Sequence, residues 1–262
     1  IGIGYNALYY HQTSGFNTAI GYNCMGGGAV GNTGTQNTMM GRYTGYSITS
    51  GNNNSGFGLE ALYALTTGGS NVAMGYYANQ LLTTGNFNVS IGQQAGRTSV
   101  DGAYNVSIGY QAGYTNTSGS SNTAVGYQSL YAYTGDQNTA IGYEAGKLRT
   151  DGVENTFVGS NAGYSAGTGC CNTAIGRASG YSLTTGVQNT YLGRQAGYYN
   201  ATADNNTLIG HNTGLYTTGA NNTCLGAGAG GTITSGVQNV LIGYKADGAA
   251  GTQYSIVIST DQ

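Results

Sequence analysis

Asn138-Thr139-Ala140-Ile141-Gly142-Tyr143-Glu144-Ala145-Gly146 decides how this chain is read, because copies of it recur along almost the whole sequence. With the leading Asn as marker, copies start at Asn17, Asn37, Asn54, Asn71, Asn88, Asn105, Asn122, Asn138, Asn155, Asn172, Asn189, Asn206, Asn222 and Asn239. An incomplete copy, Ile3-Gly4-Tyr5-Asn6-Ala7, opens the chain. Most intervals are 17 residues. The one after Asn17 is 20 and holds Gly26-Gly27-Gly28, and those after Asn122 and Asn206 are 16. A fixed short period marks an architecture whose units cannot bury their own apolar face and stack on their neighbours instead. The 262 residues therefore predict one repeat-built domain over 1–262, of about fifteen coils.

Counting the marker as zero, position +3 is apolar in every copy, from Ile20 and Met40 to Leu225 and Ile242. Position +1 is Thr or Ser in most copies and Val in Val72, Val89, Val106 and Val240. Period-two alternation is a strand signature. It places +1 and +3 on one side, taken here as the core, and +2 (Met39, Phe157, Tyr191, Leu208, Leu241) on the other. Position +7 is always small, so a second short strand would set a small side chain against the large one at +3. Gly at +4 in all copies requires either a positive φ or a close backbone neighbour. Thr-Thr-Gly-x-x-Asn, as in Thr184 to Asn189, is turn chemistry. Stacking at about 4.8 Å per coil makes parallel ladders and a rod of roughly 70 Å, with the Asn side chains forming a ladder that satisfies turn carbonyls. The expectation is an all-β parallel β-solenoid.

One aliphatic residue, one Thr or Val and one Ala per coil is a thin core, and the outward +2 residues need cover. Lateral association follows, with a homotrimer as the first arrangement. Neither end of the sequence carries a polar cap. Coils stacked end to end into a head-to-tail filament, or flanking domains beyond this segment, are therefore the alternatives for the bare strand edges.

Composition narrows the function classes. Lys and Arg number 7, Asp and Glu 9, and the net charge is −2, which gives no basic patch for nucleic acid. No apolar run reaches the about 18 residues that suggest a membrane span. The chain begins inside a repeat and shows no signal peptide. Cys24, Cys170, Cys171 and Cys224 lie at different phases and lack metal-ligand spacing with His11 or His211, so they read as incidental thiols with no cofactor implied.

The stretch N-T-A-I-G-Y-x-A-G resembles the head repeats of trimeric autotransporter adhesins. More closely still, Asn122-Thr123-Ala124-Val125-Gly126-Tyr127-Gln128-Ser129-Leu130-Tyr131 is similar to repeats of tail-fibre-like proteins of aquatic phages. The closing Tyr254 to Asp261 also resembles the ends of such fibre segments. The resemblance covers nearly the whole chain and implies a left-handed parallel β-roll in a trimer. It also implies an extracellular, cell-surface or virion-surface fibre. The 17-residue unit is longer than the usual adhesin-head unit.

Catalysis finds little support. Asp101 and Asp151 share a phase but lie three coils apart, about 14 Å, beyond the carboxylate spacing of glycoside hydrolysis. Asp136, Glu154, Glu144, Lys147, Arg149 and Asp151 read as a solvated charged belt. No G-x-S-x-G, H-E-x-x-H or P-loop occurs, so the chain is expected not to be an enzyme. Tyrosines are the candidate contact residues for cell-surface glycans or partner chains. They recur at +5 (Tyr22, Tyr76, Tyr110, Tyr127, Tyr143) and at +9 (Tyr114, Tyr131, Tyr164, Tyr181, Tyr198), predicting two aromatic ladders. Among the Asn-x-Ser/Thr sequons, Asn116 and Asn200 stand apart from the marker and are the glycosylation candidates. The leading expectation is a structural and adhesive fibre. The alternative is an ice-binding solenoid with Thr ladders, opposed by the inward placement of +1 and by the bulky tyrosines.

Overall fold

A computed structural model describes residues 1–11, 15–28, 32–148 and 151–259. Arg149 of the charged belt, and Thr260 and Asp261 of the closing stretch, lie outside these. The chain is all-β, a parallel β-solenoid of about fifteen coils. It divides into two compact units, Ile1–Gly135 and Asp136–Gln262. The first carries β1 (Gly2–Ile3), β2 (Thr18–Ile20), β3 (Thr38–Met40), β4 (Ser55–Phe57), β5 (Val72–Met74), β6 (Val89–Ile91), β7 (Val106–Ile108) and β8 (Thr123–Val125). The second carries β9 (Thr139–Ile141), β10 (Thr156–Val158), β11 (Thr173–Ile175), β12 (Thr190–Leu192), β13 (Thr207–Ile209), β14 (Thr223–Leu225), β15 (Val240–Ile242) and β16 (Ile256–Ile258). Within each unit successive strands pair in parallel and in the register of the repeat, as in Thr173↔Thr190, Ala174↔Tyr191 and Ile175↔Leu192. Unequal intervals are absorbed outside the strands, since Thr18 still pairs with Thr38 and Thr207 with Thr223.

Only +1 to +3 is strand. The second strand expected near +7 is absent among the described residues, where the backbone runs through turns. The reason is conformational: +6 and +8 adopt left-handed φ, as in Ala178 (55°) and Gly180 (56°), and interrupt any extended run. Non-glycine residues hold that conformation at +6 and −1 because the neighbouring coil fixes it. The N–H of Gln195 donates to the Arg177 carbonyl (2.9 Å) and that of Gln188 to the Cys170 carbonyl (3.1 Å). Hydrogen bonds thus run between coils around the whole circuit, and not through the strands alone.

The faces are the reverse of those expected. Position +2 is buried in every full coil, and +1 and +3 point outward: Tyr191 is fully buried while its neighbour Leu192 is 43% exposed. Alternation alone cannot say which side is inside, and the uniform +3 residue suggested the wrong one. The core is built from +2, the small +7, +8 and +11, including Phe157, Tyr191, Leu62, Leu65 and Leu183. It is filled by exchange of size between +2 and +8. Gly56 faces Leu62, whereas Phe157, Tyr191 and Leu208 are matched by Gly163, Gly197 and Gly214, where a Cβ would strike the larger ring or chain. Such interdigitation is what close packing requires.

Two repeated residues lock coil to coil. At +4 both conditions predicted for glycine hold at once. Gly176 has φ +131°, and a Cβ there would sit 2.5 Å from the Gly193 carbonyl oxygen. The Asn ladder is as expected. Oδ1 of Asn155 accepts from the backbone N–H of Asn172 (3.0 Å) and from its Nδ2 (3.0 Å), while Nδ2 of Asn172 donates to the Gly186 carbonyl (2.9 Å).

Two substitutions test this packing by thermal and denaturant unfolding. Gly176→Ala forces both a left-handed Cβ and a backbone clash, and is expected to destabilise by about 2 kcal/mol or more. Tyr191→Phe is expected to raise stability by roughly 1 kcal/mol, because the buried Tyr191 hydroxyl has no hydrogen-bond partner.

Candidate functional site

The outward side of the sheet is the surface most clearly set by the repeat. Side chains two residues apart on a strand are about 6.6 Å apart and parallel neighbours about 4.8 Å apart, so +1 and +3 form two adjoining rows. In the first unit the +3 row includes Met40 (44% exposed), Met74 (42%) and Ile91 (37%), and in the second Ile141 (40%), Ile175 (37%), Leu192 (43%) and Leu225 (46%). These exposures persist although each residue is flanked by its ladder neighbours. The +1 row is Val72, Val89 and Val106 in the middle of the first unit and Thr139, Thr156, Thr173, Thr190, Thr207 and Thr223 in the second.

Past Gly at +4 the chain turns the corner, and the +5 tyrosines stand outward there. Tyr22, Tyr76, Tyr110, Tyr127 and Tyr143 are 39–51% exposed. Tyr110 and Tyr127 stack at 5.3 Å between centroids, whereas Tyr76 stacks on its own neighbour Tyr77 at 3.8 Å. The +9 tyrosines are half-buried and stack with near-parallel rings. Tyr114 lies 5.0 Å from Tyr131, and Tyr164, Tyr181 and Tyr198 form a column at 5.0 and 4.8 Å. Burial and the adjoining Tyr198 push the Tyr181 hydroxyl above its ordinary pKa. The ladders predicted from phase therefore exist as short columns.

Two further aromatic contacts were missed from sequence, Tyr199 on Tyr216 at 5.2 Å and Phe87 on Tyr104 at 5.1 Å. Their signal was aromatic residues sharing phases +10 and −1 in successive copies. Arg97 bridges columns in the first unit, its Nη1 donating to the Tyr114 hydroxyl at 2.9 Å with the Tyr77 ring 5.0 Å away.

Asn116 and Asn200, the glycosylation candidates from the sequons, are not presented to solvent on the folded chain. Both are buried. Asn116 uses its amide to close a turn, donating to the Gly119 carbonyl (2.9 Å) and accepting from the Gly119 N–H (2.7 Å), while Asn200 Oδ1 accepts from the Ala203 N–H (3.3 Å). A carboxamide facing inward at +11 offers no room for a sugar.

Within the charged belt, Glu144 pairs with Lys147 at 2.6 Å. Glu154 and Asp136 are brought into adjacent coils, where the Glu154 N–H donates to the Asp136 carbonyl at 3.1 Å. Asp101 and Asp151 fall in different units. Among the described residues no group of three His, Cys, Asp or Glu side chains converges as a metal site.

The thiols differ. Cys24 and Cys224 are buried, and desolvation pushes each up to about 12. Cys170 and Cys171 occupy a surface turn with their sulfurs 3.1 Å apart. The hydrogen bond to Cys170, followed by burial, pushes Cys171 up to about 11. Alkylation requires the thiolate. Iodoacetamide labelling of Cys171 is therefore expected to rise as pH climbs towards about 11, with Cys24 and Cys224 labelled only on unfolding. For the two buried thiols the folded pKa lies above the ordinary 9.0, so their neutral forms favour the fold below pH 9.0, and that stability is lost as pH rises towards about 12. Melting temperature against pH checks this: Cys224→Ser is expected to flatten the alkaline fall. Compared with protein-family models, curated proteins and solved structures, the chain matches none of them.

Proposed function

We propose that the chain is a non-enzymatic structural and adhesive segment of an extracellular fibre, on a cell or virion surface, that self-associates through the outward side of its sheets. The observation that carries this reading is the +3 row of exposed Ile, Leu and Met side chains. Soluble monomers rarely leave contiguous apolar patches beyond a few hundred Å², and a row that gains an apolar side chain with every coil is of that kind. Flat sheets pack face to face about 10 Å apart. With 16 charged residues and a net charge of −2, little repulsion opposes the approach of a second copy. A homotrimer with the apolar rows turned to a common axis is the proposed arrangement, and head-to-tail stacking is the rival outcome. Tyr110, Tyr127 and Tyr143, exposed at the corner, then face outward toward cell-surface glycans.

A second reading, ice binding, is favoured by the outward +1 threonines of the second unit. Six successive strands present Thr, and their hydroxyls make no hydrogen bond to protein among the described residues. The objection that +1 faces the core does not hold in this fold. The threonines at +12 are different: the Thr184 hydroxyl donates to the Ala201 carbonyl at 3.0 Å.

Mass in solution by light scattering, with electron microscopy of the same material, separates these readings. The fibre reading expects a trimer or filament. Ile175→Glu with Leu192→Glu should weaken assembly at least about tenfold, because two carboxylates would have to be desolvated. A monomer without assembly at high concentration would overturn it. Thermal hysteresis that is lost in Thr173→Lys would establish the ice-binding reading instead.

A further inference from the structure

The two residues before the marker Asn, positions −2 and −1, lie in the turn that leads into each strand. In neighbouring coils of the second unit they are Val153-Glu154 and Val187-Gln188. Only before Asn172 are both cysteine, Cys170 and Cys171. The first is half-buried and the second exposed, whereas Cys24 and Cys224 are fully buried and do not compete for a reagent in solution.

Neighbouring coils hold this turn from both sides. The Cys171 N–H donates to the Val153 carbonyl of the preceding coil (3.2 Å). The Cys170 carbonyl accepts from the Gln188 N–H of the following coil (3.1 Å) and from Asn172 Nδ2 (2.9 Å). With the peptide so fixed, the sulfurs meet. The Cys171 thiol donates to Cys170 Sγ at 3.1 Å, and the Glu154 carboxylate, one coil back at the same phase, is a second acceptor at 3.6 Å. The hydrogen bond to Cys170, then burial, then the nearby Glu154 charge keep the proton on Cys171. Cys170 is therefore the sulfur placed to attack first.

A thiolate attacks a disulfide through a mixed-disulfide intermediate, which a second thiolate then resolves. Reacting atoms about 3–3.5 Å apart are in a near-attack arrangement, and Cys171 Sγ already stands at that distance from Cys170 Sγ. Bond formation brings the sulfurs to about 2.05 Å, a closure of about 1 Å. The ring that forms is tight, because the Cα atoms of adjacent residues are about 3.8 Å apart against the about 4.4–6.8 Å usual across a disulfide. A strained, exposed disulfide is readily reduced again.

We propose that Cys170 and Cys171 form a thiol–disulfide exchange site that takes small-molecule disulfides and closes into a reversible Cys170–Cys171 disulfide. Cys170 attacks the small disulfide and releases one of its halves as a thiol. Cys171 then attacks Cys170 Sγ and releases the other half. One small disulfide is reduced to two thiols, which carry away the protons of Cys170 and Cys171, and the two cysteines are oxidised to one disulfide. The pair thereby clears any thiol that becomes attached to Cys170, and copies of the chain stay free of covalent cross-links. None of this rests on the fibre reading.

Intact-mass spectrometry of the full chain after treatment with oxidised glutathione tests the site. The protein should lose two hydrogens and carry no glutathione, its thiol count in denaturant should fall from four to two, and peptide mapping should place the bond between Cys170 and Cys171. Excess dithiothreitol should restore all four thiols. Cys171→Ser, which lacks the resolving sulfur, should instead keep one glutathione on Cys170 with its melting temperature unchanged. A lasting glutathione adduct on the unsubstituted protein, disulfide-linked multimers on a non-reducing gel, four thiols left after treatment, or an unmodified Cys171→Ser protein would overturn the proposal.

Discussion

The buried asparagine ladder is the interaction on which the coils depend. Each side chain spends its oxygen on the backbone N–H and, in most coils, the amide of the next Asn, and its own NH₂ on a carbonyl of the turn that ends its own copy, as Asn172 does with Asn189 and Gly186. One residue thus fixes the start of a strand and the end of a turn in the same place. Thr or Ser cannot substitute, because neither spans both partners. Removing one amide orphans buried polar groups on two coils, each at about 1–3 kcal/mol. Gly at +4 is the complementary requirement: the ladder draws the coils close enough that the Gly193 carbonyl sits where a Cβ of Gly176 would be.

Much of this was legible. Period, parallel register, glycine constraint and Asn ladder follow from residues that recur at fixed offsets. Position +3 was misread because constancy was equated with burial. Inside the coil, however, it is variation that is constrained. Bulky Met25, Leu62 and Leu130 at +8 accompany Ala19, Gly56 and Ala124 at +2, whereas Met39 and Phe157 accompany Gly45 and Gly163. That inverse relation in size, present in the sequence itself, identifies +2 as the inward residue. That turns replace the expected second strand was not legible, because Ala178 or Gln195 in a left-handed corner is held there by hydrogen bonds from a neighbouring coil and by no local preference of its own. Burial of Asn116 and Asn200 was hidden for a related reason. Their phase, +11, reads as a polar turn in those copies but as core in Leu65 and Leu183.

Once the faces are assigned, the surface sorts itself by position in the repeat. The sheet side is apolar with threonine or valine beside it, the corner bears single aromatic or charged residues, and the turn side holds half-buried tyrosine columns. A repeat makes such a surface uniform along its length, so any local property must come from a copy that departs from the pattern. Ala227 and Gly228 are such a departure, as are Cys170 and Cys171 at a turn. In a repetitive molecule, the exceptions are where specificity can be written.

The exchange of size between +2 and +8 has a further consequence for how the chain reaches its fold. If every coil were alike, a segment could pair one coil out of place and still satisfy each backbone hydrogen bond and each asparagine. Met39 and Tyr191 also reach into the adjoining coil, where a Cβ at Gly56 would lie 2.5 Å from Met39 and one at Gly180 2.9 Å from Tyr191, so pairing with a coil that carries a larger residue there brings large against large. The uneven core therefore gives each coil its own address, and favours threading in sequence order over the many near-equivalent alignments that a perfect repeat would permit.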